Sequence, residues 1–101
     1  MFSDHLEVLK SSTIPSMYYF YIIRCADNTL YSGQTNNLEK RIKEHNSGKT
    51  RSAKYTKVRL PVTLVYSEKF KTLSEALKRE YEVKQFTKLK KEALIQTRLV
   101  V

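Results

Sequence analysis

The sequence predicts a single α+β domain, a three-stranded antiparallel sheet flanked by helices in the order β-β-α-β-α-α. Three observations predict it. Residues 17–25 form an aromatic and β-branched run, then a turn signal, then a second short run, which is the pattern of a hairpin. Two later stretches, residues 36–47 and 72–86, open on capping residues and keep helical spacing. A length of 101 residues suffices for one core and not two.

The elements follow in order. Residues 1–16 read as an extension, closing on Ser11-Ser12-Thr13 and Pro15, and the domain spans 17–97 with a short tail at 98–101. In the first strand Tyr19, Tyr21, Ile23 and Cys25 share one face and Tyr18, Phe20, Ile22 and Arg24 the other. Neither face is polar, so helices must cover both. Asp27-Asn28 tolerates the left-handed backbone of a tight turn, and residues 30–34 return as the second strand. Asn36 with Glu39 resembles a capping box for the first helix, and Gly48 stops it. Residues 49–61 are a loop with five basic residues and no acid. Residues 62–66 form the third strand. Thr72 with Glu75 caps the second helix, and Thr87 caps a last short one over 88–96.

Composition narrows the function. Nineteen basic against ten acidic residues leave a net charge of +9, which suits a polyanionic partner, nucleic acid before an anionic membrane surface. The single cysteine, Cys25, cannot form an internal disulfide, which points to a reducing compartment, the cytoplasm. Asp4, His5, Glu7 and Lys10 interrupt any secretory core, and no stretch approaches the ~20 apolar residues of a membrane span.

Some residues are not explained by the fold. On the helix from Thr72, Leu73, Ala76, Leu77 and Tyr81 form an apolar stripe, and Glu80 falls within it. A carboxylate so placed needs a partner or a metal. An i, i+4 pair with Lys84, both heads reaching water, would satisfy it as well. On the first helix Arg41 and His45 lie one turn apart beside the apolar anchors Leu38 and Ile42. Arg41 could equally pack its stem and point its head outward. Of seven tyrosines, Tyr18, Tyr19, Tyr21 and Tyr31 sit in the hairpin. Such tyrosines are commonly core, but a phenol beside a cation can also accept a proton.

Together these residues resemble the GIY-YIG nuclease family, and its short stand-alone bacterial members most. Phe20-Tyr21-Ile22 resembles the first signature, with Phe20 where glycine is usual, and Tyr31-Ser32-Gly33 resembles the second. Residues 36–49 follow in place and carry the family's arginine at Arg41; residues 76–84 resemble the late helix, whose metal-holding glutamate falls at Glu80. The resemblance implies a three-stranded antiparallel sheet with flanking helices. It also sets a condition. A two-residue turn at Asp27-Asn28 would pair Ala26 with Thr29 and put Tyr31 on the face opposite Tyr21. A shared site therefore requires a three-residue loop or a bulge.

The chemistry implied is metal-dependent endonuclease action with little sequence specificity. Glu80 would hold one Mg²⁺ or Mn²⁺, since one carboxylate with waters and substrate oxygens suits a hard cation. Arg41 would clamp a non-bridging oxygen. Tyr31 would be the general base, favoured by Arg41 and the metal, with Tyr21 ordering the water; His45 is the rival base. Lys49, Arg51, Lys54, Lys57 and Arg59 would track the backbone, with Tyr55 stacking on a base. Single-stranded or branched DNA is the favoured partner, RNA a further one, and repair or recombination the setting. Nothing in the sequence requires more than a monomer. A non-cutting nucleic-acid-binding protein on the same fold is the alternative, encouraged by Phe20 and by Gln34, where some members place a lysine. An interaction module for an acidic partner is the third.

Overall fold

The structure, a computed structural model, describes residues 17–49 and 53–98. The N-terminal extension, Arg51 and the last three residues of the tail lie outside the described residues. The chain runs β1 (Tyr18–Arg24), β2 (Leu30–Thr35), α1 (Leu38–Ser47), α2 (Lys54–Lys57), β3 (Thr63–Phe70), α3 (Leu73–Lys84) and α4 (Lys88–Gln96). The sheet is antiparallel with strand order β2-β1-β3, as expected; the one-turn α2 is an addition inside the basic loop.

The hairpin uses a three-residue loop. Cys25 N–H donates to the Thr29 carbonyl at 2.8 Å, leaving Ala26, Asp27 and Asn28 in the turn. Asn28 takes a left-handed backbone (φ 70°), and Asp27 Oδ1 accepts from the Thr29 N–H at 3.1 Å. This is the three-residue loop that a shared tyrosine face requires, in place of a two-residue turn at Asp27-Asn28. The odd count pairs Ile23 with Tyr31 and Tyr21 with Gly33, so both signature tyrosines share one face. On the other side of β1, the register shifts between Ile22 and Ile23, a bulge that passes over Val65.

Each face of the sheet has its own core. Phe20, Ile22 and Tyr66 pack with Val83 of α3 and Ile95 of α4. Tyr21, Ile23, Cys25 and Val62 pack with Leu38 and Ile42 of α1. Phe20 thus points away from Tyr21 and meets the Tyr66 ring edge-on at 6.3 Å, so a large residue in the first signature fills the far core and leaves the tyrosine face untouched.

The helix ends follow their caps with one correction. Asn37, not Asn36, caps α1: its side chain accepts from the Lys40 N–H at 3.1 Å. Gly48 closes α1 in the left-handed region (φ 68°), and Thr72 with Glu75 forms the expected capping box. Thr87 caps α4 through the Lys90 N–H. β3 runs four residues beyond Tyr66 because Tyr18, Tyr19, Phe20 and Tyr21 of β1 continue the ladder to Phe70.

The apolar stripe on α3 is also corrected. Leu73, Leu77 and Tyr81 are exposed, Tyr81 at 72%, whereas Ala76 and Val83 are fully buried. The sheet meets the helix along Ala76–Val83, and Leu77 and Tyr81 lie roughly 100° and 140° round from it. Glu80 sits on the flank of the buried face, about 40° off, with its side chain 19% exposed.

Candidate active site

Tyr21 is the centre of the tyrosine face. Its ring lies directly over Gly33: a Cβ at that position would stand 2.5 Å from the Tyr21 hydroxyl oxygen. The last residue of the second signature is therefore glycine for space, since Gly33 is where the Tyr21 phenol crosses the neighbouring strand. The phenol meets His45 Nε2 at 3.0 Å, and the Arg41 guanidinium of the same helix stands beside it, its positive charge favouring the phenolate. One turn of α1 separates Arg41 from His45, so both reach one hydroxyl.

His45 is fully buried. Its Nδ1 lies 2.9 Å from Thr56 Oγ1, and its ring meets Tyr21 and Tyr31 edge-on at 6.0 and 5.5 Å. Burial, reinforced by the Arg41 charge, lowers its pKa to about 4 against an opposing pull from Glu44, so the ring is neutral at neutral pH. Burial likewise raises the Tyr21 phenol, against the hydrogen bond and charge of Arg41; the charges of Tyr31 and Glu80 push the same way as burial. Glu80 therefore acts on the same phenol from α3.

Both charged candidates also have ordinary partners. Arg41 Nη1 pairs with Glu44 at 3.0 Å, and Glu80 pairs with Lys84 at 2.9 Å. The i, i+4 pair anticipated as the alternative for Glu80 is present. Arg41 does not point simply outward, since its head touches Tyr21 and a carboxylate.

The basic loop divides into two sets. Lys49, Lys54 and Lys57 are exposed. Tyr55 instead stacks on Tyr31 (5.9 Å, 20° between planes), and the Arg59 guanidinium lies 3.9 Å over the Tyr55 ring. Arg59 also pairs with Asp27 of the hairpin loop at 3.1 Å. Tyr55 and Arg59 thus brace Tyr31. Sequence reasoning missed Glu44, whose i, i+3 spacing from Arg41 was the available signal, and Thr56, which lies a loop away from His45 with no signal in the pattern. Gly33 was visible in the signature, though its steric reason was not.

Beside Arg41 an open polar cleft of about 480 Å³ is lined by Tyr18, Gln34, Asn37, Lys40 and Leu73. A larger groove of about 770 Å³, between Phe70 and Phe86, uses Glu75, Arg79 and Glu82, which stand on the opposite side of α3 from Glu80. Among the described residues no three His, Cys, Asp or Glu side chains cluster as a metal site, and no helix is long and apolar enough to cross a membrane.

A hairpin that brings two tyrosines to one face, over a glycine and against an arginine and a histidine of the next helix, defines a GIY-YIG catalytic domain. That family's model matches residues 17–93, and the chain belongs to this nuclease family. Its relatives are short stand-alone bacterial proteins. It is 53% identical over 81 residues to a UPF0213 protein of Staphylococcus haemolyticus, covering 80% of this chain and 96% of that one. It is 51% identical over 79 residues to the UPF0213 protein YazA of Bacillus subtilis, covering 78% of each. The solution NMR structure of a UPF0213 protein from Bacillus halodurans superposes with a TM-score of 0.52 at 43% identity, over 80% of this chain and 84% of that one. A second NMR structure, from E. faecalis, gives 0.54 at 41% identity, over 84% and 90%.

Proposed function

We propose that this protein is a metal-dependent endonuclease that hydrolyses nucleic-acid phosphodiester bonds with little sequence specificity. The observation that carries the reading is the convergence of Arg41, His45 and the Glu80 charge on one buried phenol, Tyr21, beside the more accessible Tyr31.

Each role rests on a side chain. Arg41 carries five donors in a planar fork, so a bond to Glu44 leaves it able to grip a phosphate. Tyr31 would be the general base that takes the proton of the attacking water; the water oxygen bonds to phosphorus as the bond to the leaving oxygen breaks. His45 is fully enclosed with partners at both ring nitrogens, which favours Tyr31 over His45 as the base that meets water. Glu80 would hold one Mg²⁺ or Mn²⁺ in exchange for the Lys84 ammonium, the rest of the shell coming from water and substrate, which fits a lone carboxylate. Such an ion would offset charge on the phosphate and on the leaving oxygen.

Lys49, Lys54 and Lys57, and Arg51 beyond the described residues, would follow the backbone, and among the described residues no element is shaped to read base edges. Single-stranded or branched DNA is the favoured substrate, with RNA as the other, and the setting is cytoplasmic DNA repair or recombination. The ion pairs at Arg41 and Glu80 favour one alternative, a scaffold that binds nucleic acid without cutting. The test is incubation with labelled single-stranded DNA, RNA and a branched duplex in Mg²⁺, Mn²⁺ or EDTA. Metal-dependent cleavage lost in Glu80→Ala and Arg41→Ala supports the nuclease. Binding without cleavage in every metal supports the scaffold.

A further inference from the structure

We propose that Thr56 is a positioning residue: its hydroxyl sets the tautomer of His45 and so orients a one-way hydrogen-bond chain that ends on Arg41.

Four contacts form the chain. Thr56 Oγ1 donates to the Ala53 carbonyl at 3.1 Å. Thr56 Oγ1 meets His45 Nδ1 at 2.9 Å, His45 Nε2 meets the Tyr21 hydroxyl at 3.0 Å, and the Arg41 guanidinium stands beside that hydroxyl and favours its negative form. The two ends fix its direction. A carbonyl can only accept, and a guanidinium can only donate. The Thr56 proton goes to Ala53, so its oxygen accepts from His45 Nδ1–H. Nε2 is then the bare nitrogen and accepts the Tyr21 proton. The Tyr21 oxygen is left to accept from Arg41. The opposite tautomer would direct Nε2–H and the Arg41 N–H at one phenol oxygen and leave the phenol proton to find another acceptor. Inside a buried network that mismatch is costly.

The position of Thr56 suits the task. It is fully buried, on the one turn of α2, and its neighbour Tyr55 stacks on Tyr31. Adjacent residues of one turn therefore hold His45 and Tyr31, the two rings that flank the site. The basic loop acts as a clamp from behind as well as a track for a backbone in front.

The consequence for cleavage rests on the nuclease reading; the direction of the chain does not. The first experiment is two-bond ¹H–¹⁵N correlation NMR of the full-length protein, which distinguishes the imidazole tautomers. The expected wild-type signal from His45 is Nδ1 protonated and Nε2 bare. An Nε2-protonated His45 overturns the proposal whether or not the protein cuts nucleic acid. Thr56→Val is expected to abolish the single Nδ1–H tautomer, and Thr56→Ser to keep it. If Thr56→Val does not fold, Thr56→Ala removes the hydroxyl without adding bulk and is read the same way. An unchanged tautomer in the folded variant overturns the role of Thr56. In the cleavage assay the hydroxyl-free variant should lose roughly tenfold to a hundredfold in kcat, as a displaced clamp would, with Thr56→Ser close to wild type.

Discussion

At the scale of single residues, two positions carry the sharpest expectations. Gly33→Ala places a methyl group within 2.5 Å of the Tyr21 oxygen, so the phenol must leave His45 and Arg41 or the strands must part. We expect a loss of about 1–3 kcal/mol in stability and a larger loss of cleavage, read by thermal melting and by the nuclease assay. His45 carries a pH signature. Its folded pKa, about 4, lies below the ordinary 6.5, so the unfolded chain binds the proton first. Its contribution is fully present above pH 6.5 and is lost as pH falls through 4, a difference of roughly 3 kcal/mol. The unfolding midpoint should fall across that window, and His45→Gln should flatten the fall. Glu92, held down to about 2 chiefly by its hydrogen bonds from Arg24, loses its contribution as pH falls from 4.5 through 2, so the fall between pH 6.5 and 4.5 belongs to His45. His45 is the only histidine among the described residues.

At the scale of elements, the hairpin loop and the α3 face decide what the site contains. Three loop residues, with Asn28 in the left-handed region, keep Tyr31 on the side of Tyr21. Asn28→Gly should leave the melting temperature nearly unchanged, whereas Asn28→Val should cost about 1–2 kcal/mol, because a β-branched residue resists that conformation. On α3 the contrast lies between faces. Val83→Ala opens a void in the core shared with Phe20 and Ile95 and should cost about 2 kcal/mol. Leu77→Gln, on an exposed position, should stay within about 0.5 kcal/mol in denaturant titration. The stripe of leucines and the buried face are distinct because a small residue, Ala76, lets the helix approach the sheet more closely than Leu77 would.

At the scale of the whole molecule, charge and closure are divided between residues. α4 is tied back to the sheet by a bidentate Arg24–Glu92 pair, both bonds 2.7 Å, and Lys88 reaches the Asn28 carbonyl. On the nuclease reading, the excess positive charge serves a polyanionic partner. Substituting Lys49, Lys54 and Lys57 together by glutamine should weaken nucleic-acid binding and reduce its log–log salt slope by roughly two to three, measured by gel retardation. Arg59→Gln should leave that slope nearly intact and lower stability, since its guanidinium is held by Asp27 and the Tyr55 ring.

The order of elements and the caps at Thr72, Thr87 and Gly48 were legible in the sequence because each is a local pattern, alternation or a capping side chain, and the candidate set Tyr21, Tyr31, Arg41, His45 and Glu80 was singled out by one-turn spacings together with the family resemblance. Even the odd-numbered loop followed once both tyrosines were required on one face. The shift of the α1 cap to Asn37, the exposed fate of Leu77 and Tyr81, and the capture of Tyr55 and Arg59 were not. Those depend on which surfaces meet, and a helical wheel names an apolar direction without saying how near a sheet can come. Only the tertiary structure could pair His45 with Thr56, eleven residues apart, because the alignment of two hydrogen-bonding side chains across a loop leaves no period in the chain.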